Sequence, residues 1–228
     1  LVVNLALPDL LHFIVMLFGS GPRAVRECVH ALTINILHNL CTGMERGETR
    51  LEALRYALTE LPHQKWMLVF MGDDRPRTAV NVIHVSMVAR LLSDVLDSCN
   101  AIDVSKVSEW SHKWLTLSEA TAYSRTSSFL QSRAFITLGI ISRPPVTDSA
   151  VHNLVRSLLC SLNDSVSQGE MDTPVAIISC LSNMCGQLEA SSSYRNHLVW
   201  LAIAILSIGE KELFSPSLNL LKVSLTSL

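Results

Sequence analysis

Four residues near the N-terminus have the side-chain types of a zinc site: Cys28, His30, His38 and Cys41. The apolar pattern around them is helical, and positions 28 and 30 of one helix lie about 200° apart around its axis. A tetrahedral zinc ion needs four ligands that converge on one point. The spacing therefore predicts no metal site here, and no other stretch of the chain predicts a bound cofactor.

Two short stretches resemble parts of ligand sites. Asp73 and Asp74 resemble an aspartate-rich magnesium motif, but Arg77 stands where a further carboxylate is needed, so we expect a solvated loop over 72–77. Residues 19–22 could cradle an anion before a helix, but they lack the lysine of a phosphate loop, which favours an interhelical turn. Since no nucleophile elbow is present either, the sequence predicts no catalytic residue.

Trp110 and Trp114 are four residues apart, and a helix would place both indoles on one face. Two neighbouring indoles could anchor a protein partner or a second protomer. They could instead pack into an adjacent helix, and such pairs more often do. Trp110 and Trp114 are therefore the candidate protein-contact residues of the sequence.

The composition restricts the class of protein. The 228 residues are 49% hydrophobic and 17% charged, with a net charge of −2, so much of the chain must be buried. This balance argues against nucleic-acid binding, which needs a clustered basic face. No apolar run reaches the roughly 18 residues that span a bilayer, and no secretory leader is visible. Because the sequence starts without Met and ends in an apolar pattern over 225–228, we expect it to be a segment of a longer protein.

The cysteines are expected to be free. A disulfide framework belongs to short secreted chains that cannot build a core, whereas this chain can. We predict buried thiols in a reducing compartment at all six positions: Cys28, Cys41, Cys99, Cys160, Cys180 and Cys185.

Apolar residues recur with helical spacing almost throughout, and strand-like alternation between hairpin turns is absent. We expect Pro8 to open the first helix, Pro216 to open the last, and residues 163–170 to form a polar linker. The sequence predicts about ten helices, over approximately 8–18, 22–42, 48–61, 78–100, 105–124, 129–142, 147–162, 172–188, 196–208 and 216–228.

Successive helix pairs are spaced by about 40 to 50 residues, which is the range of HEAT and armadillo repeats. We therefore predict an all-α, HEAT/armadillo-like α-solenoid segment that occupies residues 1–228 as a single domain. The breaks near 72–77 and 143–147, the latter containing two consecutive prolines, are possible sub-divisions.

Several stretches, in order along the chain, are similar to a known family. The strongest are 7–12 (LPDLLH), 21–22 (GP) and 29–42 (VHALTINILHNLCT), and the weaker are 58–61 (LTEL), 113–115 (KWL), 131–135 (QSRAF), 139–142 (GIIS) and 200–206 (WLAIAIL). They resemble the helical region C-terminal to the catalytic domain in the neurofibromin family of Ras GTPase-activating proteins, which includes the fungal inhibitory regulators of Ras.

The resemblance implies a non-catalytic scaffold within a large cytoplasmic protein that switches Ras off. In that family the arginine finger and the lipid-binding module lie upstream, so neither Arg133 nor Arg75 nor Arg77 is that finger. The implied partners are other regions of the same protein, a second protomer in a homodimer, and a Ras GTPase bound through another domain. Contact with membranes would also come through other domains. The alternative is a stand-alone α-solenoid adaptor that binds a protein partner.

Overall fold

The computed structural model describes residues 2–42, 82–98, 104–124 and 127–228. These residues form helices joined by turns and contain no strand, which confirms the all-α prediction. In chain order the helices are α1 (Val2–Leu17), α2 (Arg23–Thr42), α3 (Val82–Ser98), α4 (Val104–Tyr123), α5 (Ser128–Ile141), α6 (Asp148–Gln168), α7 (Asp172–Cys185), α8 (Tyr194–Ile208) and α9 (Lys211–Thr226). The helix predicted over 48–61 and the loop predicted over 72–77 lie outside the described residues.

Two prolines do not open helices as predicted, because each lies inside one. Pro8 is in α1, which begins at Val2, and Pro216 is in α9, which begins at Lys211. A proline inside a helix lacks the N–H that would bond to the carbonyl four residues earlier. Leu7 directly precedes Pro8, and Leu213 lies three residues before Pro216. Both leucines are at most 1% exposed. Their burial helps to stabilise each helix across the missing hydrogen bond.

The prediction of a polar linker over 163–170 is also wrong, since α6 continues to Gln168. Asn163 and Asp164 are exposed, so their polarity reflects a solvated helix face. Ser165 is buried, and its hydroxyl donates to the carbonyls of Ser161 and Glu170, both at 2.6 Å. A stretch that is polar in sequence therefore completes the helix and bonds to the turn that follows it.

The chain divides into two compact units. Unit 1 comprises residues 1–77 and 87–117, and its described part contains α1, α2 and most of α3 and α4. Along α1 and the residue that follows it, the buried side chains of Leu7, Leu11, Ile14 and Phe18 form one stripe at helical spacing. A turn over 19–22 leads from α1 into α2, as predicted, and the Arg26 guanidinium donates to the carbonyl of Gly21 at 2.8 Å.

Unit 2 comprises residues 78–86 and 118–228, and helices α5 to α9 make up most of it. Within it α7 packs against α5 and α9, while α6 packs against α7 and α8 against α9. The helices α5, α7 and α9 therefore form a row. Helix α6 forms a pair with α7, and helix α8 forms a pair with α9. The row helices begin at 128, 172 and 211, which matches the repeat spacing predicted from the sequence.

Helices α5 and α7 of this row approach each other closely at a glycine. A Cβ atom added at Gly139 would lie 2.7 Å from the Cα atom and 3.1 Å from the carbonyl oxygen of Cys180. Because both are backbone atoms, a side chain at Gly139 could be accommodated only if the helices moved apart. Gly139 thus sets the distance between two helices of the row.

The two helix pairs end their first helices in the same way. Gly169 follows α6 and Gly209 follows α8, and both have left-handed backbone conformations, with φ of 72° and 80°. Each amide donates a hydrogen bond back into its helix, to Ser165 and Leu206 respectively. This backbone conformation is strained for residues with a side chain, so glycine lets each pair turn into its second helix.

Candidate interaction surfaces

The tryptophan pair of the sequence lies on α4, in unit 1. Trp114 is 1% exposed, whereas Trp110 is half-buried. On the same helix, Lys113 Nζ lies 2.5 Å from Asp9 Oδ2 and forms an exposed ion pair with α1. Since the Trp114 indole is buried, a partner contact at this pair stays a prediction that would depend on Trp110.

The histidine next to this ion pair is shielded from solvent. Burial lowers the pKa of His12, and the neighbouring Asp9 carboxylate opposes that shift. His12 is half-buried and is therefore held towards its neutral form. Across the described residues, no three His, Cys, Asp or Glu side chains are grouped so that they could hold a metal ion.

The cysteines are divided between core and surface. Cys180 and Cys185 are buried in α7, as predicted, and burial raises the pKa of the Cys180 thiol. Cys28 and Cys160 are free but exposed, so the prediction that they are buried is wrong. Val29, one residue after Cys28, and Leu158, two residues before Cys160, point to another side of their helices and are buried instead. Cys41 and Cys99 are outside the residues whose side chains the structure describes.

A polar groove of about 740 Å³ opens in unit 2 beside the end of α4, α5, α6 and the start of α7. Ser128 Oγ donates to Glu170 Oε2 at 2.8 Å, and Gln131 Nε2 donates to the carbonyl of Ala122 at 3.3 Å. These bonds connect the lining helices to one another. The lining residues are Ala122, Tyr123, Ser127, Ser128, Gln131, Phe135, Arg156, Ser157, Cys160, Ser161, Asp164, Ser165, Glu170, Thr173 and Ile177.

Arg156 is the groove residue best placed to bind an anionic group. It is exposed, and it makes no hydrogen bond or ion pair with another residue that the structure describes. The opposite charge is supplied by Asp164 and Glu170, so the groove offers both signs of charge among several hydroxyls. Burial, together with the nearby Cys180 and Glu119, raises the pKa of Tyr123, which therefore lines the groove as a neutral phenol.

Arg133 is not placed to contact another protein. It is 8% exposed, and its guanidinium lies over the Phe129 ring at 4.4 Å from the centroid. Burial lowers the pKa of Arg133 to about 10, so the side chain stays charged at neutral pH. The cation stacks within α5, where it covers aromatic surface.

Several large apolar side chains that the sequence reasoning missed are exposed on α8 and α9. We call this set of side chains the α8–α9 apolar surface: Trp200 at 69% exposure, Ile203 at 39%, Ile208 at 53%, Phe214 at 56%, Leu218 at 43% and Leu225 at 54%. Exposed patches rich in large apolar residues are typical of interaction sites. The signal in the sequence was the run of nine apolar residues over 198–206, which is too long for one buried face of a helix.

No protein-family model matches the chain. The chain is similar to the inhibitory regulator protein IRA2 of Saccharomyces cerevisiae, with 18% identity over 226 residues. The match covers 96% of this chain but 7% of that protein, so the chain spans a small part of its relative's length. The similarity agrees with the resemblance noted in the sequence at this coarse level. In addition, none of the described helices combines the length and apolarity needed to cross a membrane.

Proposed function

We propose that the chain is a non-catalytic helical-repeat scaffold within a Ras GTPase-activating protein. The observation that carries this proposal is the similarity to an inhibitory regulator protein over 96% of the chain, combined with an all-helical fold. The scaffold would support assembly of the parent protein as a homodimer and position its catalytic domain. The parent would act in the cytoplasm and reach membranes and Ras through other domains.

The surfaces of the described residues fit a binding role. Trp110, the polar groove and the α8–α9 apolar surface each offer side chains that another protein segment could contact. Arg133, the arginine within the family-like stretch 131–135, is stacked inside α5. These features support a scaffold more than a site for chemistry.

The test is the mass of the parent protein by light scattering, together with its stimulation of GTP hydrolysis by Ras, with and without residues 1–228. We expect deletion to convert a dimer into a monomer and to leave GTPase stimulation measurable. An unchanged mass would exclude the assembly role. Loss of stimulation in a protein that still dimerises would instead indicate a direct part in catalysis.

A deletion can disturb folding, so a point variant provides a second test. Trp110→Ala in the parent removes one large, half-buried contact candidate, and Glu109→Ala on the exposed side of α4 is its matched control. If Trp110 contacts a second protomer, dimer dissociation should increase about tenfold or more in the first variant alone. Equal dissociation in both variants would place the dimer contact elsewhere.

The second candidate function is an α-solenoid adaptor that binds a protein partner, and the polar groove favours it. In that case Arg156→Glu, which reverses the charge of the groove arginine, should release a bound partner while the mass of the isolated protein stays the same. Arg143→Glu, an exposed arginine outside the groove lining, is the control. Unchanged binding in Arg156→Glu would argue against the groove as the adaptor site.

A further inference from the structure

The polar groove of unit 2 contains a cysteine thiol between charges of opposite sign. Arg156, Cys160 and Asp164 all line the groove, and they follow one another at intervals of four residues along α6. Residues four apart share one face of a helix, and four residues rise by about 6 Å. The stripe therefore has a cation at one end, a carboxylate about 12 Å away at the other end, and the thiol midway between them.

A second carboxylate lies at the acidic end of this stripe. Glu170 follows α6, and its carbonyl accepts a hydrogen bond from the hydroxyl of Ser165 at 2.6 Å, so Glu170 lies close to Asp164. Arg156 supplies the positive charge among the described lining residues and has no bonding partner among them. The groove thus has two ends of opposite charge, which suits a ligand whose own charges are separated.

The thiol in this groove is accessible. Cys160 is free and exposed, whereas Cys180 and Cys185 are buried in α7. The groove volume of about 740 Å³ is in the range of small-molecule sites, and Ser157 and Ser161 add hydroxyl groups to its lining beside the thiol. A small disulfide that entered the groove would therefore meet the Cys160 sulfur.

A thiol tripeptide of the glutathione type has a matching arrangement of groups. It has a carboxylate at its glycine end, a sulfur in the middle and an ammonium group at its γ-glutamyl end, over roughly 10 Å. The glycine carboxylate can pair with Arg156 and the ammonium group with Asp164 or Glu170, which brings its sulfur to Cys160. Its second carboxylate, also at the γ-glutamyl end, can remain in solvent because Asp164 and Glu170 are exposed.

We propose that Cys160 is a site of reversible S-glutathionylation and that the polar groove recognises the tripeptide. The deprotonated Cys160 sulfur attacks one sulfur of glutathione disulfide, a bond forms between these two atoms, and the original disulfide bond breaks. One glutathione leaves as a thiolate and takes up a proton, which balances the proton that Cys160 lost. Cys160 is thereby oxidised to a mixed disulfide, and the departing glutathione is reduced to a thiol. Excess thiol reverses the reaction by the same route.

The inference depends on the geometry of unit 2 and not on the proposed scaffold or adaptor function. Its test treats the full-length parent protein with glutathione disulfide and follows the peptides that contain Cys160 and Cys28 by mass spectrometry over time. Cys28 is the internal control, because it is also free and exposed on a helix, but Ala24 and Leu32 stand four residues to either side of it. Hydroxyethyl disulfide, which is uncharged and reacts by the same exchange, measures the intrinsic reactivity of each thiol.

The measured quantity is the rate with glutathione disulfide divided by the rate with hydroxyethyl disulfide. We expect this ratio to be about tenfold higher at Cys160 than at Cys28, since each exposed charge pair can contribute up to a factor of about five. Arg156→Met should lower the ratio at Cys160 by about threefold to fivefold and leave the ratio at Cys28 unchanged. Arg143→Met, which changes an exposed arginine outside the groove, is the matched control variant.

The rate with hydroxyethyl disulfide also reports on folding, because it should stay the same in Arg156→Met if the surroundings of Cys160 are intact. Equal ratios at Cys160 and Cys28 would mean that Cys160 is an exposed thiol only, and would overturn the proposal. An unchanged ratio in Arg156→Met, or no mixed disulfide at Cys160, would overturn it as well. Neither GTPase stimulation nor the mass of the parent protein is part of this readout, so a negative result would leave the proposed function unaffected.

Discussion

The pairs α6–α7 and α8–α9 have the same organisation but different surfaces. In the first pair, the exposed side of α6 carries polar residues, including His152, Arg156 and Asp164, and α7 is enclosed between α5 and α9. In the second, the exposed side of α8 carries Trp200 and Ile203. The difference teaches that the same helix-pair framework can expose either polar or large apolar side chains, because the framework depends on the buried positions of each helix.

The sharpest test of this comparison is to shorten one leucine in each of two helices of the row. Leu181 of α7 is completely buried, whereas Leu218 of α9 is 43% exposed. We expect Leu181→Ala to lower the free energy of unfolding by about 3 to 4 kcal/mol, because it leaves a cavity, and Leu218→Ala to lower it by less than about 0.5 kcal/mol. Urea denaturation measures both. Equal losses would mean that Leu218 is already covered in the isolated chain.

A second prediction concerns the spacing of the row. Gly139→Ala should lower the free energy of unfolding by about 2 to 3 kcal/mol, because its Cβ would collide with the backbone of α7. Gly186 at the end of α7 is the control, since no atom lies within 4 Å of a Cβ there and its φ is −69°. The denaturation midpoint of Gly186→Ala should stay near that of the parent sequence. A tolerated Gly139→Ala would show that α5 and α7 can separate.

The third prediction tests the hydrogen bonds that hold the pair α8–α9 to the turn after α7. Arg195 donates to the carbonyls of Leu188 at 2.6 Å and Glu189 at 3.0 Å, and it also bonds to that of Ser227. One side chain thereby connects the turn after α7 with the end of α9. We expect Arg195→Met to cost about 2 kcal/mol of stability, because it removes several charge-assisted bonds.

Arg195→Lys should recover part of that loss, since an ammonium cannot match the geometry of the guanidinium. Arg156→Met is the control on the first pair, where the arginine has no bonding partner among the described residues. Thermal unfolding compares the three variants. A similar loss of stability in Arg195→Met and Arg156→Met would show that the Arg195 hydrogen bonds do not stabilise the pair α8–α9.

Sequence patterns predicted much of this fold but not its contacts. Helical spacing is local information, so the helices over 105–124 and 129–142 agree with α4 and α5 to within one residue. The predicted helix starts at Pro8 and Pro216 were wrong. A proline favours a helix start locally, but each helix here begins before its proline, and the packing of nearby leucines stabilises that longer helix. The Arg195 bonds join three separate segments, and no single stretch of sequence predicts them.

The exposure of candidate residues was harder still to predict. Trp110 and Trp114 share one helix face, yet one is half-buried and the other enclosed, because exposure depends on which helix lies opposite. The same limit applies to Cys28 and Cys160, which are exposed although buried positions lie one and two residues away. For α8, the apolar run was visible in the sequence, but only the packed structure distinguishes its covered side from its exposed side.

The smallest expected effect compares the starts of the two pairs. Thr147 caps α6 by accepting a hydrogen bond from the amide of Ala150 at 3.3 Å, while Ser193 before α8 makes no such cap bond. Thr147→Ala should therefore cost about 0.5 to 1 kcal/mol and Ser193→Ala close to nothing. Chemical denaturation of the two variants resolves this difference. Equal costs would indicate that both helices begin in the same way.

The glycines after α6 and α8 have a consequence for how such a chain can diverge in evolution. Gly169 and Gly209 are 40 residues apart, and an added Cβ at either would meet nothing within 4 Å. A left-handed residue other than glycine nevertheless costs roughly 1 to 2 kcal/mol. Selection would therefore preserve these two positions through backbone conformation alone, while packing residues can be replaced by others of similar volume. Homologues too distant for alignment by their cores could still be placed in register by this pair of glycines.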